Sequence, residues 1–121
     1  MPAGEVSSIE NEAGGFRITV ASSLLSINVW GYWPSEVAAA FTREATAISH
    51  KSMRVSALLL DASALKPQGA EGQEALRVMF KVLASMGVAK GTFITDSLFC
   101  KMQLVRLLRE CGLEQYVAAA D

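Results

Sequence analysis

His50, Asp61, Ser63, Asp96, Cys100 and Cys111 are the side chains whose types could carry nucleophilic, acid–base or metal chemistry, and their spacing joins few of them. The two cysteines stand eleven residues apart in one predicted helix, a rise of roughly 16 Å that no intrachain disulfide spans. Neither has His or a second Cys at a metal-ligand spacing, so both read as small core hydrophobes, and no metal or cofactor is expected. His50 closes a predicted helix, where a cation complements the dipole, and that accounts for it. Asp61 and Asp96 each follow a predicted strand and would lie along one edge of a sheet. A paired-acid site needs a nucleophile or metal beside it, and the sequence supplies neither. No glycine motif for cradling phosphate is present either, so the chain is not expected to be an enzyme. Trp30, Tyr32 and Trp33 form the one dense aromatic group. Together they could floor a pocket for a small apolar or lipid ligand or make a protein hot spot; the plainer reading is that at least one caps the core.

Composition narrows the classes further. The chain has 121 residues, 51% hydrophobic and 19% charged, which suits one domain with a real core. Eleven Lys plus Arg against twelve Asp plus Glu give a net charge of −1. Without a concentrated basic surface, nucleic-acid binding is disfavoured. No stretch approaches the roughly 18 consecutive apolar residues of a spanning helix, and the N-terminal residues lack the pattern of a signal peptide. A cytoplasmic location is the expectation.

The elements that must position these residues are organised around Val55–Gly72. The run Ala57, Leu58, Leu59, Leu60 shows no alternation, which predicts a strand covered on both faces, delivering Asp61 and the loop up to Gly72 to a helix. In open α/β sheets, the crevice beyond the carboxyl ends of the strands is the usual binding place. Before this unit, residues 1–15 read as a mobile or loosely attached arm, leaving 16–121 as the domain. Phe16, Ile18 and Val20 alternate with polar positions, and the polar break at Ser22 and Ser23 leads to a second strand with Leu25, Ile27 and Val29 on one face. So short a link predicts an antiparallel hairpin. Pro34 and Glu36 open a helix whose stripe is Val37, Phe41, Glu44 or Ala45, and Ile48. After the loop come a helix over about 71–86 ended by Gly87, a strand over 91–95, a helix capped by Asp96 or Ser97 and closed at Gly112, and a short edge strand within 115–119. The order β-β-α-β-α-β-α-β predicts a small α/β domain with a mostly parallel sheet.

Several landmarks lie in this order: an apolar triplet followed by Asp61-Ala62-Ser63, a loop with a helix-opening glycine, a helix ending in Met86-Gly87, then a strand, a capped helix and Cys111-Gly112-Leu113. With them, the chain from Phe16 to Ala119 resembles the STAS domain, the family of bacterial anti-sigma-factor antagonists and of the cytoplasmic tails of sulphate transporters. The resemblance implies a non-enzymatic module that binds protein partners, here an anti-sigma-factor-like protein or a scaffold, or small ligands. Regulatory members present a phosphorylatable Ser or Thr at the start of the second helix in a pattern of the type Asp-Ser-x-Gly. Set on this sequence, Gly72 takes the glycine, Ala70 the acceptor and Gly69 the acid, so the acceptor hydroxyl is absent and the usual switch has no chemical basis at that position. Glu71 places a fixed charge one residue away, accounted for by the positive end of the helix dipole. Ser63 is the hydroxyl left in the loop, with turn bonding as its ordinary role.

The expected contact surface is therefore the loop and helix start carrying Asp61, Ser63, Lys66, Gln68, Gly69, Ala70, Glu71 and Gly72, with Trp30, Tyr32 and Trp33 as the alternative pocket or hot spot. The last helix adds one more expectation. Leu104, Val105, Leu107 and Leu108, together with its other apolar residues, cover more than one stripe, which suggests a second contact surface and a homodimer.

Overall fold

In a computed structural model, residues 4–10, 12–51 and 54–119 are described. They form β1 (Gly4–Glu10), β2 (Gly14–Ala21), β3 (Leu24–Gly31), α1 (Ser35–Ser49), β4 (Ala57–Leu65), α2 (Ala70–Ser85), β5 (Lys90–Thr95), α3 (Leu98–Glu110) and β6 (Val117–Ala118). The strands lie in one sheet in the order β1-β2-β3-β4-β5-β6. β1–β2 and β2–β3 pair antiparallel, while β3–β4, β4–β5 and β5–β6 pair parallel. The α/β architecture expected from the sequence is the one found.

The N-terminal stretch is a correction. Gly4–Glu10 is not a loose arm but an edge strand, paired along β2 from Gly4↔Val20 to Glu10↔Gly15. Residues 1–3 and 11 of the expected arm lie outside the described residues. The sequence GEVSSIE has little apolar alternation, and what gives the strand its place is its row of backbone bonds to β2.

A second correction concerns β4. Its burial alternates, with Leu58, Leu60 and Ala62 buried and Ala57, Leu59 and Asp61 half-buried. The same alternation runs across the sheet: Phe16, Ile18, Leu25, Ile27, Val29 and Phe93 are buried, while Arg17 and Asn28 are exposed and Thr19, Ser26, Thr92 and Ile94 are partly so. One face is covered by the helices and the other is open. The strand order supplies the reason. Consecutive parallel strands step across the sheet in a single direction, and right-handed crossovers then place every helix on the same side. The order never reverses, so the crevice found at a topological switch point is absent too.

On the covered face α1 contributes Val37, Phe41, Ala45 and Ile48, α2 contributes Leu76, Met79, Phe80 and Leu83, and α3 contributes Cys100, Leu104, Leu107 and Leu108. Fully burying each such Leu, Ile or Phe contributes on the order of 2 kcal/mol. Arg77 fastens α2 to α3 by pairing with Glu74 and, through Nε at 2.9 Å, with Glu110. At the far edge the ring of Tyr116 lies on Gly91, where a Cβ would collide with it, and its hydroxyl donates to the Val88 carbonyl at 2.7 Å.

Candidate functional site

Asp61 lies within β4 rather than in the following loop, on the open face. It pairs with Asn28, whereas the next register pair is Trp30 with Ala64, so β4 carries one extra residue there. This is a bulge, and it returns Leu65 to the buried face beside Gly31. The Asp61 carboxylate accepts from the Ser63 amide at 3.1 Å and from Ser63 Oγ at 2.7 Å. Both residues are thereby accounted for as the side-chain brace of the bulge, a local side-chain-to-backbone arrangement typical of Asp and Ser.

Beyond Leu65 the chain turns through Lys66, Pro67, Gln68 and Gly69 into α2. Gln68 is 4% exposed and is the buried polar residue among those described. Its Nε2 donates to the carbonyls of Gly31 at 2.9 Å and Lys66 at 2.8 Å, and its Oε1 accepts from the Trp33 amide at 3.0 Å. Its backbone is held as firmly: the amide donates to Gln103 Oε1 at 2.8 Å, and the carbonyl accepts from Gln103 Nε2 at 3.0 Å and Gln73 Nε2 at 2.9 Å. One residue thus ties the β3–α1 turn, the β4–α2 loop, α2 and α3 together. Among the described residues no buried side-chain nitrogen or oxygen lacks a partner, so the network repays its burial.

The two glycines of this segment are there for close approach. A Cβ at Gly72 would run into Gln68, whose own Cβ would be 2.9 Å away, and a Cβ at Gly69 would stand 2.5 Å from the Tyr32 hydroxyl oxygen. Of the expected contact residues, Gln68 and Gly72 are therefore buried, Gly69 is half-covered, and Lys66, Ala70 and Glu71 face outward. No hydroxyl replaces the missing one at Ala70 from within the loop. Two hydroxyls reach the helix start from the β3–α1 side: that of Tyr32, over Gly69, and that of Ser35, whose Oγ donates to Glu71 Oε1 at 2.8 Å, with both Ser35 and Glu71 exposed. A shallow depression of about 300 Å³ lies here, lined by Tyr32, Trp33, Pro34, Ser35, Ala70 and Glu71.

The aromatic trio does not act together. Trp33 is 2% exposed, packed against Phe16 and Phe41 at ring-centroid distances of 6.0 and 4.7 Å, with Nε1 donating to the Gly15 carbonyl at 3.0 Å. Trp30 is half-buried, opposite Gly15 in the sheet and beside the extra residue of β4. Tyr32 alone stands out in solvent, over Gly69.

The remaining candidates take structural roles. His50 is the exposed C-cap of α1. Ser97, not Asp96, caps α3, its Oγ accepting from the Cys100 amide at 3.2 Å. Burial pushes the thiols of Cys100 and Cys111 up, away from the thiolate that reactivity needs. No three His, Cys, Asp or Glu side chains converge among the described residues. On α3 the apolar surplus is real but displaced. Leu104, Leu107 and Leu108 are in the core, and the exposed side chains are Leu98, Phe99 and Met102 in its first turns. Gln68 as a clamp and Phe99 as an exposed aromatic are the features that sequence reasoning missed. A Gln set between glycines at 69 and 72 is a signal of close backbone approach that could have pointed to the first.

No family model matches the chain, and no curated protein matches it in sequence. The crystal structure of an anti-sigma factor antagonist from Mycobacterium paratuberculosis matches it with a TM-score of 0.59 at 16% identity, over 84% of this chain and 83% of that one. The fold is that of an anti-sigma factor antagonist, as the resemblance to the STAS domain implied.

Proposed function

We propose that the domain is a non-enzymatic regulatory module of the anti-sigma-factor-antagonist kind, presenting the outer side of the β4–α2 loop and the start of α2 to a protein partner. The observation that carries this reading is the division of labour within the loop. Its inward residues, Gln68 and Gly72, fix the backbone, while Lys66, Ala70 and Glu71 remain outside on that fixed backbone. A contact surface already rigid before binding loses little entropy when a partner arrives. The methyl of Ala70 makes recognition independent of phosphorylation at that position. The fold shared with an anti-sigma factor antagonist supports the same assignment.

Cross-linking capture from an extract of the source cells tests it, comparing the natural chain with Glu71→Lys and Lys66→Glu on the loop and Thr19→Lys on the open sheet face. The expected outcome is a protein captured by the natural chain and by Thr19→Lys but lost with the loop variants. Capture that survives both loop variants and disappears with Thr19→Lys would move the contact to the open face and overturn the proposal.

A further inference from the structure

The first turns of α3 invert the usual partition of side chains. Leu98, Phe99 and Met102 are 69%, 70% and 59% exposed, three large apolar groups within five residues. Single exposed hydrophobes are ordinary, but a contiguous group marks a surface that something else covers. Beside it lies a hollow of about 490 Å³ lined by Pro67, Gln73, Phe99, Met102, Gln103 and Arg106. Half of its lining, Gln73, Gln103 and Arg106, is polar or charged, which suits a protein segment with polar flanks better than the hydrocarbon of a bilayer.

Charge defines the rest. Arg106 lines the hollow, Lys66 directly precedes Pro67 of its wall, and Lys101 and Arg109 lie further round and along α3; all four are exposed, in a chain whose net charge is −1. Arg106 donates to the amide oxygen of Gln73, and none of the four has a carboxylate partner among the described residues. The acids of the same two helices are already engaged: Glu74 and Glu110 are held by Arg77, and Glu71 accepts from Ser35. The result is an apolar centre with a basic rim. Its back wall is rigid, because Gln103, which lines the hollow, is doubly bonded to the backbone of Gln68.

We propose that this hollow binds an acidic amphipathic helix of a partner protein, which inserts one large apolar side chain between Pro67 and Phe99 and sets carboxylates against Lys66 and Arg106. The proposal rests on the reading of the domain as an interaction module and adds the chemistry of the partner. Helix-in-groove recognition supplies such an arrangement, with apolar anchors on one face and charges along its flanks.

The test is fluorescence anisotropy with a labelled amphipathic helical peptide bearing leucines on one face and glutamates on the other, against the same peptide with lysines for the glutamates. The acidic peptide is expected to bind, with affinity falling as salt rises, and the lysine peptide to bind at least tenfold more weakly. Phe99→Ser and, separately, the pair Lys66→Glu with Arg106→Glu should each weaken the acidic peptide by about tenfold, while the charge reversal Arg43→Glu on α1 leaves it unchanged. All these side chains are exposed, and thermal melts confirm that each variant is folded. Equal binding of the two peptides, or no binding of either, overturns the proposal. So does a result in which Phe99→Ser abolishes sedimentation with vesicles of mixed neutral and anionic phospholipid, or abolishes self-association in sedimentation equilibrium, while leaving the peptide unaffected. A loop partner still captured in a Glu71-dependent way when the peptide fails would leave the regulatory-module reading standing and remove this one.

Discussion

Gln68 and Phe99 lie on either side of Gln103, and each is on the wrong side of the ordinary rule. One is an amide 4% exposed, the other an aromatic ring 70% exposed. Gln68 makes six hydrogen bonds through its side chain and backbone, all of them internal, and these hold the loop in place. Phe99 lines the hollow beside the same loop and has no internal role of that kind. The difference separates two uses of a costly residue. A buried polar group that is fully satisfied builds the platform, and an exposed apolar group left uncovered is available to a partner.

The comparison can be broken or sharpened by substitution, and the effects scale with burial. Leu60→Asp should be the most severe. It sets an unpaired charge on the covered face and should cost on the order of 4 kcal/mol or more, abolishing a cooperative melt. Leu59→Asp, one residue along on the open face, should retain that melt, and loss of it would show that the open face is covered after all. Next comes Gln68→Ala, which strands the Trp33 amide and the Gly31 and Lys66 carbonyls. A loss of about 2–4 kcal/mol in urea unfolding is expected; a near-neutral result would mean water replaces the amide and the platform is softer than argued. Gly72→Ala pushes a methyl against Gln68 and should cost about 1–3 kcal/mol, with only part of that cost relieved in the double variant that also carries Gln68→Ala, because the Cβ of residue 68, 2.9 Å away, remains. Smallest is Phe99→Ser, which should change stability by less than about 0.5 kcal/mol. A larger loss would make Phe99 part of the fold rather than a contact.

Much of this was readable in advance because period and punctuation are local. Phe16, Ile18 and Val20 alternate, Pro34 opens α1, and Gly87 ends the run of α2 residues, each within a few positions of the feature it signals. The failures came where the deciding partner was distant or absent. Three leucines in β4 look the same whether one face or two are covered, and what decided was the direction in which the strands step across the sheet. β1 is held by β2, so its own composition says little. Gln68 accepts bonds from Trp33 and Gln103, each 35 positions away, and no short window contains them. Of Trp30, Tyr32 and Trp33 the sequence expects at least one in the core, but which one depends on Phe16 and Phe41, and these single out Trp33.

The single-direction strand order has a further consequence for how the molecule is made. Each strand lies beside the one that precedes it in sequence. A chain emerging N-terminus first therefore presents every new strand with an edge already built, and no strand waits to be inserted between two others. Contacts close over one crossover at a time, which keeps the entropy of each closure small. Translation can add the domain as a bricklayer adds courses, with β6 set last against β5.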